Sequence, residues 1–68
     1  MPDTYSKRYV AHLYFPHLTD KAARNRLSRT MRLCTPLMQR LTALGYTQSQ
    51  RHFTIRQRDL VYEFLGEP

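Results

Sequence analysis

Sixty-eight residues hold one domain. A chain this short buries only about 60% of its unfolded surface, so its stability is marginal without a staple or a partner. A single cysteine, Cys34, excludes an internal disulfide, and no apolar run approaches the roughly 18 residues of a membrane span. Eleven Lys+Arg against five Asp+Glu give a net charge of +6, nine of the eleven being arginine, a balance that directs attention to polyanionic partners.

The distribution of charge is more informative than its total. From Lys21 through Arg58 there are nine basic residues and no acid; Asp3, Asp20, Asp59, Glu63 and Glu67 all lie outside that block. The N-terminus opens with Asp3, Lys7 and Arg8 and has no long apolar stretch, which is unlike a signal peptide. With a lone thiol, which suits a reducing compartment, this composition leads us to expect a cytoplasmic protein with no membrane contact.

In chain order, residues 1–5 read as a flexible arm. Ser6 is placed to cap a first helix over Lys7 to Tyr14, with Phe15 closing it and Pro16 forbidding its continuation. On it Tyr9, Val10, Leu13 and Tyr14 share one face, while Arg8 and His12 point away. Thr19 offers a second N-cap, and Asp20 in the first turn suits the helix dipole. The second helix, Asp20 to about Leu33, is the longest. At 100° per residue Ala23, Leu27, Thr30, Met31 and Cys34 form an apolar stripe, and Lys21, Arg24, Asn25, Ser28, Arg29 and Arg32 gather opposite.

Thr35-Pro36 restarts a third helix, with Thr35 as cap and proline at the first helical position. Leu37, Met38, Leu41 and Leu44 supply its apolar side, and Gly45 stops it. Residues 46–53 read as two short extended stretches around Gln48-Ser49, a hairpin or wing without an Asn-Gly type turn. Thr54 and Gln57 make a capping box for a fourth helix, whose buried face is Leu60, Val61, Phe64 and Leu65 and whose stop is Gly66. On the polar side of this helix Arg56 can pair with Asp59 one turn on.

The Arg-rich second helix carries the sharpest functional signal. Arginine forks onto phosphate oxygens or the O6/N7 edge of guanine, and asparagine can read adenine. An ordinary solvated helix face mixes charge signs at i,i+4, whereas this one has no acid after Asp20. A short helix broken at Pro16 and restarted at Thr19 supplies the other half of a helix-turn-helix. Gln48, Ser49, Gln50, Arg51 and His52 would form the wing tip, able to follow phosphates or to be no more than a solvent loop. Metal binding and nucleophilic catalysis find no constellation. A four-ligand zinc site would need Cys34 and all of His12, His17 and His52, and His12 and His17 lack one-face spacing. Only two glycines are present, both at helix stops, so no phosphate-cradling loop exists. Neither a cofactor nor a small-molecule substrate is expected.

The segments Leu13-Tyr14-Phe15-Pro16, Leu41-x-x-Leu44-Gly45-Tyr46, Phe53-Thr54 and Leu65-Gly66-Glu67-Pro68, with the Arg-rich helix containing Leu27 and Cys34 between them, resemble a family of short gut-bacterial proteins known only as a domain of unknown function. The resemblance runs from about Ser6 to Pro68 and brings no activity with it. In the order of its elements the chain is also similar to MerR and excisionase winged helices, from which it departs by the extra helix before the wing.

These readings together predict a mainly α domain over 1–68, helix-turn-helix or winged-helix-like, with four helices (6–15, 19–34, 35–45 and 54–66) and a minor β-hairpin (46–53). The expected function is non-catalytic binding of nucleic acid, with duplex DNA favoured, in a small regulator or mobile-DNA accessory factor. Lys21, Arg24, Asn25, Ser28, Arg29 and Arg32 would face the groove and backbone, with Arg51 joining from the wing. The alternative is a protein-interaction module whose basic face docks on an acidic partner. A homodimer is left open, since it would add half-site symmetry.

Overall fold

A computed structural model describes residues 4–68. The element order is β1 (Thr4–Ser6), α1 (Lys7–Tyr14), α2 (Asp20–Leu33), α3 (Thr35–Ala43), β2 (His52–Thr54) and α4 (Ile55–Leu65). The domain is mainly α, with four helices and one two-stranded antiparallel sheet, as the sequence leads one to expect.

Three of the helices begin where local chemistry requires. The Ser6 hydroxyl accepts from the Tyr9 amide and that of Thr19 from the Ala22 amide. At α4 the Thr54 hydroxyl accepts from the Gln57 amide while the Gln57 side chain accepts from the Thr54 amide, a complete capping box. The third helix differs from expectation. Thr35 is its first residue rather than its cap, and Cys34 at the cap position makes no side-chain bond, so α3 starts on proline's fixed φ alone.

The end of α3 is a Schellman turn. Gly45, at φ +84°, donates to the Thr42 carbonyl at 2.9 Å, and the Tyr46 amide reaches back to Leu41 at 3.0 Å. The turn drives Tyr46 into the core, where it stacks on Phe53 at 5.9 Å between ring centroids. Around this pair sit Val10, Ala11, Ala23, Leu27, Met31, Leu37, Leu41 and Val61, all buried. The α2 stripe behaves as its spacing dictates, with Ala23, Leu27 and Met31 buried and Thr30 and Cys34 partly so. The α1 face does not. Ala11 joins Val10 in the core, whereas Tyr9 is 53% exposed and Leu13 is also open to solvent; at the end of α3, Leu44, expected on the apolar side of that helix, is likewise exposed.

The hairpin expected within 46–53 does not form. The strand His52–Thr54 pairs with Thr4–Ser6 in the register Thr4↔Thr54, Tyr5↔Phe53, Ser6↔His52. Thr4 and Tyr5, expected in a flexible arm, are thus sheet residues; residues 1–3 of that arm lie outside the described residues. The physical reason lies in the turn chemistry. A two-residue hairpin loop needs positive φ, and among the described residues no non-glycine adopts it. Gln48-Ser49 instead sits at the centre of a β-turn closed by the Gln50 amide on the Thr47 carbonyl at 3.3 Å.

Candidate nucleic-acid interface

The start of α1, the first half of α2 and the turn before β2 surround a groove of about 740 Å³. Its walls carry Lys7 and Arg8 from α1, Lys21, Arg24, Asn25 and Ser28 from α2, and Arg51 from the turn. Of the residues singled out in the sequence, Lys21, Arg24, Asn25, Ser28 and Arg51 are therefore brought together. Arg29 and Arg32 are not. Both are exposed, and Arg32, in the last turn of α2, lines a separate shallow cleft with Thr35, Met38, Gln39 and Thr42.

Lys7 organises the wall opposite α2. Its backbone amide donates to the Arg51 carbonyl at 2.9 Å, and its ammonium donates to the Gln48 carbonyl at 3.2 Å. The same ammonium lies 4.8 Å from the centroid of the Tyr46 ring, a cation–π contact over the core. Burial, and then the nearby Arg24 guanidinium, hold the Lys7 ammonium below its ordinary value. Both causes weaken the charged form, and an anion in the groove would relieve the second.

Gln50, read in the sequence as part of a polar tip, is turned inward. Its side-chain Oε1 accepts from the Thr47 amide at 3.1 Å, and its side-chain nitrogen donates to His52 O at 2.6 Å and to Gln57 Oε1 at 2.7 Å. Gln57 is the buried hub of the network. At 2% exposure it accepts from the Thr54 amide at 3.0 Å and donates to the Leu44 carbonyl at 3.3 Å. The turn that presents Arg51 is consequently tied to α4 through Gln50 and to α1 through Lys7, and Arg51 keeps a fixed base with an exposed side chain.

Among the described residues Asp20 is the one acid on the groove wall, and it is engaged. Its carboxylate is hydrogen-bonded to the His12 ring and lies 3.7 Å from Arg8. The His12 hydrogen bond, followed by the charges of His12, Arg8 and Arg24, holds the Asp20 carboxyl below the usual carboxylate range. The cations Lys7, Lys21, Arg24 and Arg51 make no ion pair among the described residues. Lys7 and Arg8 are the residues that sequence reasoning missed. The signal available for them is a pair of adjacent cations immediately after the Ser6 cap, a position that helix geometry places at a helix mouth. Among the described residues no group of three or more His, Cys, Asp or Glu side chains could hold a metal ion, and no helix is long and apolar enough to cross a membrane.

Fold and groove together define a small, mainly helical domain with a concave basic surface. The chain belongs to the family described as Domain of unknown function (DUF4248), which matches residues 3–68, in keeping with the resemblance carried by its sequence motifs. No curated protein and no solved structure matches the chain.

Proposed function

We propose that this domain is a non-catalytic, cytoplasmic nucleic-acid-binding module that takes duplex DNA along the basic groove. One observation carries the reading: Lys7, Arg8, Lys21, Arg24 and Arg51, contributed by three separate elements, surround a single concavity whose only acid among the described residues is already engaged. Cations so arranged neutralise successive phosphates and release counterions, while Asn25 and Ser28 between them offer base-edge hydrogen bonds. Contact from the Arg51 turn replaces the wing expected in the sequence, and a small regulator or an accessory factor of mobile DNA is the role this supports.

The test is a titration of labelled duplex DNA at several salt concentrations. Four or five phosphate contacts give log affinity against log salt a slope of roughly −3.5 to −4.5. Absence of binding at ~50 mM salt, where even non-specific contacts hold, sinks the proposal.

A further inference from the structure

A second concavity lies between α3 and α4, remote in composition from the basic groove and sharing no residue with it. Ala43, Leu44 and Leu60 line its apolar part, and Arg40, Arg56 and Asp59 stand at its margin. On α4 the residues Arg56, Asp59, Leu60 and Glu63 are spaced i, i+3, i+4, i+7 and so occupy one stripe. Asp59 is held by its neighbour Arg58 at 2.9 Å, not by Arg56 as the one-turn spacing suggests. Arg56 and Glu63 are both exposed, and neither makes an ion pair among the described residues.

We propose that this chain forms a two-fold dimer through the α3–α4 groove, with α4 antiparallel to its own copy. The occupant is argued from charge complementarity. The stripe is positive at its N-terminal end and negative at its C-terminal end, so an antiparallel copy is its electrostatic complement. A dyad passing between Asp59 and Leu60 sets Arg56 against Glu63 of the second copy, and Glu63 against its Arg56, in one isologous contact. Leu60 then meets the apolar surface at the centre, and Leu44, left open in the single chain, is covered. Asp59 brings little net charge to the axis because Arg58 accompanies it. Exposed ion pairs contribute little each, but they fix register and exclude the parallel alternative, in which like charges would face each other. None of the basic-groove residues is used, so both grooves of the dimer stay open.

Sedimentation equilibrium of the full chain without nucleic acid tests this, and its outcome does not depend on the proposed function. The wild type is expected to dimerise. Arg56→Glu and Glu63→Arg should each weaken the dimer by about tenfold, since two pairs become two repulsions. The double swap should restore the wild-type constant to within about twofold. Both substitutions are exposed, and both suit the helix dipole, acid near the start of α4 and base near its end, so folding is preserved. A wild type that stays monomeric to ~1 mM overturns the proposal. So does a dimer indifferent to either single change, or one that the double swap fails to restore.

Discussion

The Lys7 amide donates to the Arg51 carbonyl at 2.9 Å, joining the first turn of α1 to a turn near the other end of the chain. The bond continues the β1–β2 pairing one step beyond Ser6↔His52 and holds the backbone of Arg51 against the start of α1, across the groove from α2. The Lys7 ammonium reinforces it from the same residue through Gln48.

Replacing Lys7 with methionine keeps the stem over Tyr46 but removes the ammonium. Duplex affinity should fall and the salt slope should shrink by about 0.9, the share of one phosphate contact. The wild type should also show a pH dependence that the variant lacks. Because Lys7 in the free protein loses its proton below the ordinary lysine value, while a bound phosphate favours the charged form, binding takes up a proton in that window. Affinity should therefore decline as pH rises through the depressed Lys7 value. Titrations across the alkaline range check this, and equal pH profiles for the two proteins would remove Lys7 from the interface.

Asn25 and Arg56 separate recognition from bystander charge. Asn25 lines the basic groove, whereas Arg56 lies at the α3–α4 concavity. Asn25→Ala is expected to cost about 1–3 kcal/mol on a preferred sequence and much less on random DNA. Measured at protein concentrations that keep the same oligomeric state as the wild type, Arg56→Ala should change both little and equally. Selection of a preferred sequence followed by competition binding measures the difference; lost discrimination in the Arg56 variant alone would place the reading surface on α4.

Gln57→Leu removes a buried hub. The variant loses the reciprocal arm of the α4 capping box and leaves Gln50 and the Leu44 carbonyl without their partner, costing about 2–3 kcal/mol. Leu27→Ala, at a position 2% exposed, should cost about 2–5 kcal/mol through transfer and cavity terms. Urea unfolding gives both values, and a Gln57 variant as stable as wild type would mean that the network around the 47–51 turn adds nothing.

Tyr14 holds the chain's end: its hydroxyl donates to the Gly66 carbonyl. Burial, then Tyr62 and Glu67, push its pKa up to about 12. Between about pH 10 and that value the unfolded chain releases a proton that the folded chain keeps, so stability falls as pH rises through the window. Tyr14→Phe should cost about 1 kcal/mol at neutral pH and flatten this alkaline decline. Denaturation at pH 7 and near pH 11 gives the comparison, and an unchanged alkaline slope would assign the decline to another group.

The sequence by itself determined the helices. Ser6, Thr19 and the Thr54–Gln57 pair act on amides within three residues, Pro16 and Pro36 act on their own φ, and Gly45 and Gly66 supply positive φ at the stops. Such local chemistry, with the 3.6-residue stripe of Ala23, Leu27 and Met31, needs no knowledge of the rest of the chain. Half of the basic groove was legible for the same reason, since Lys21, Arg24, Asn25 and Ser28 share one side of one helix. Only the tertiary structure decided its other half. Tyr5 pairs with Phe53, Lys7 holds Arg51, and Gln50 turns inward to Gln57. Two of these contacts join residues far apart in sequence, and the third spends a polar side chain on a buried acceptor. Neither period nor propensity encodes such choices: strand pairing goes to whichever edge the packed helices bring within reach, and β1 was that edge.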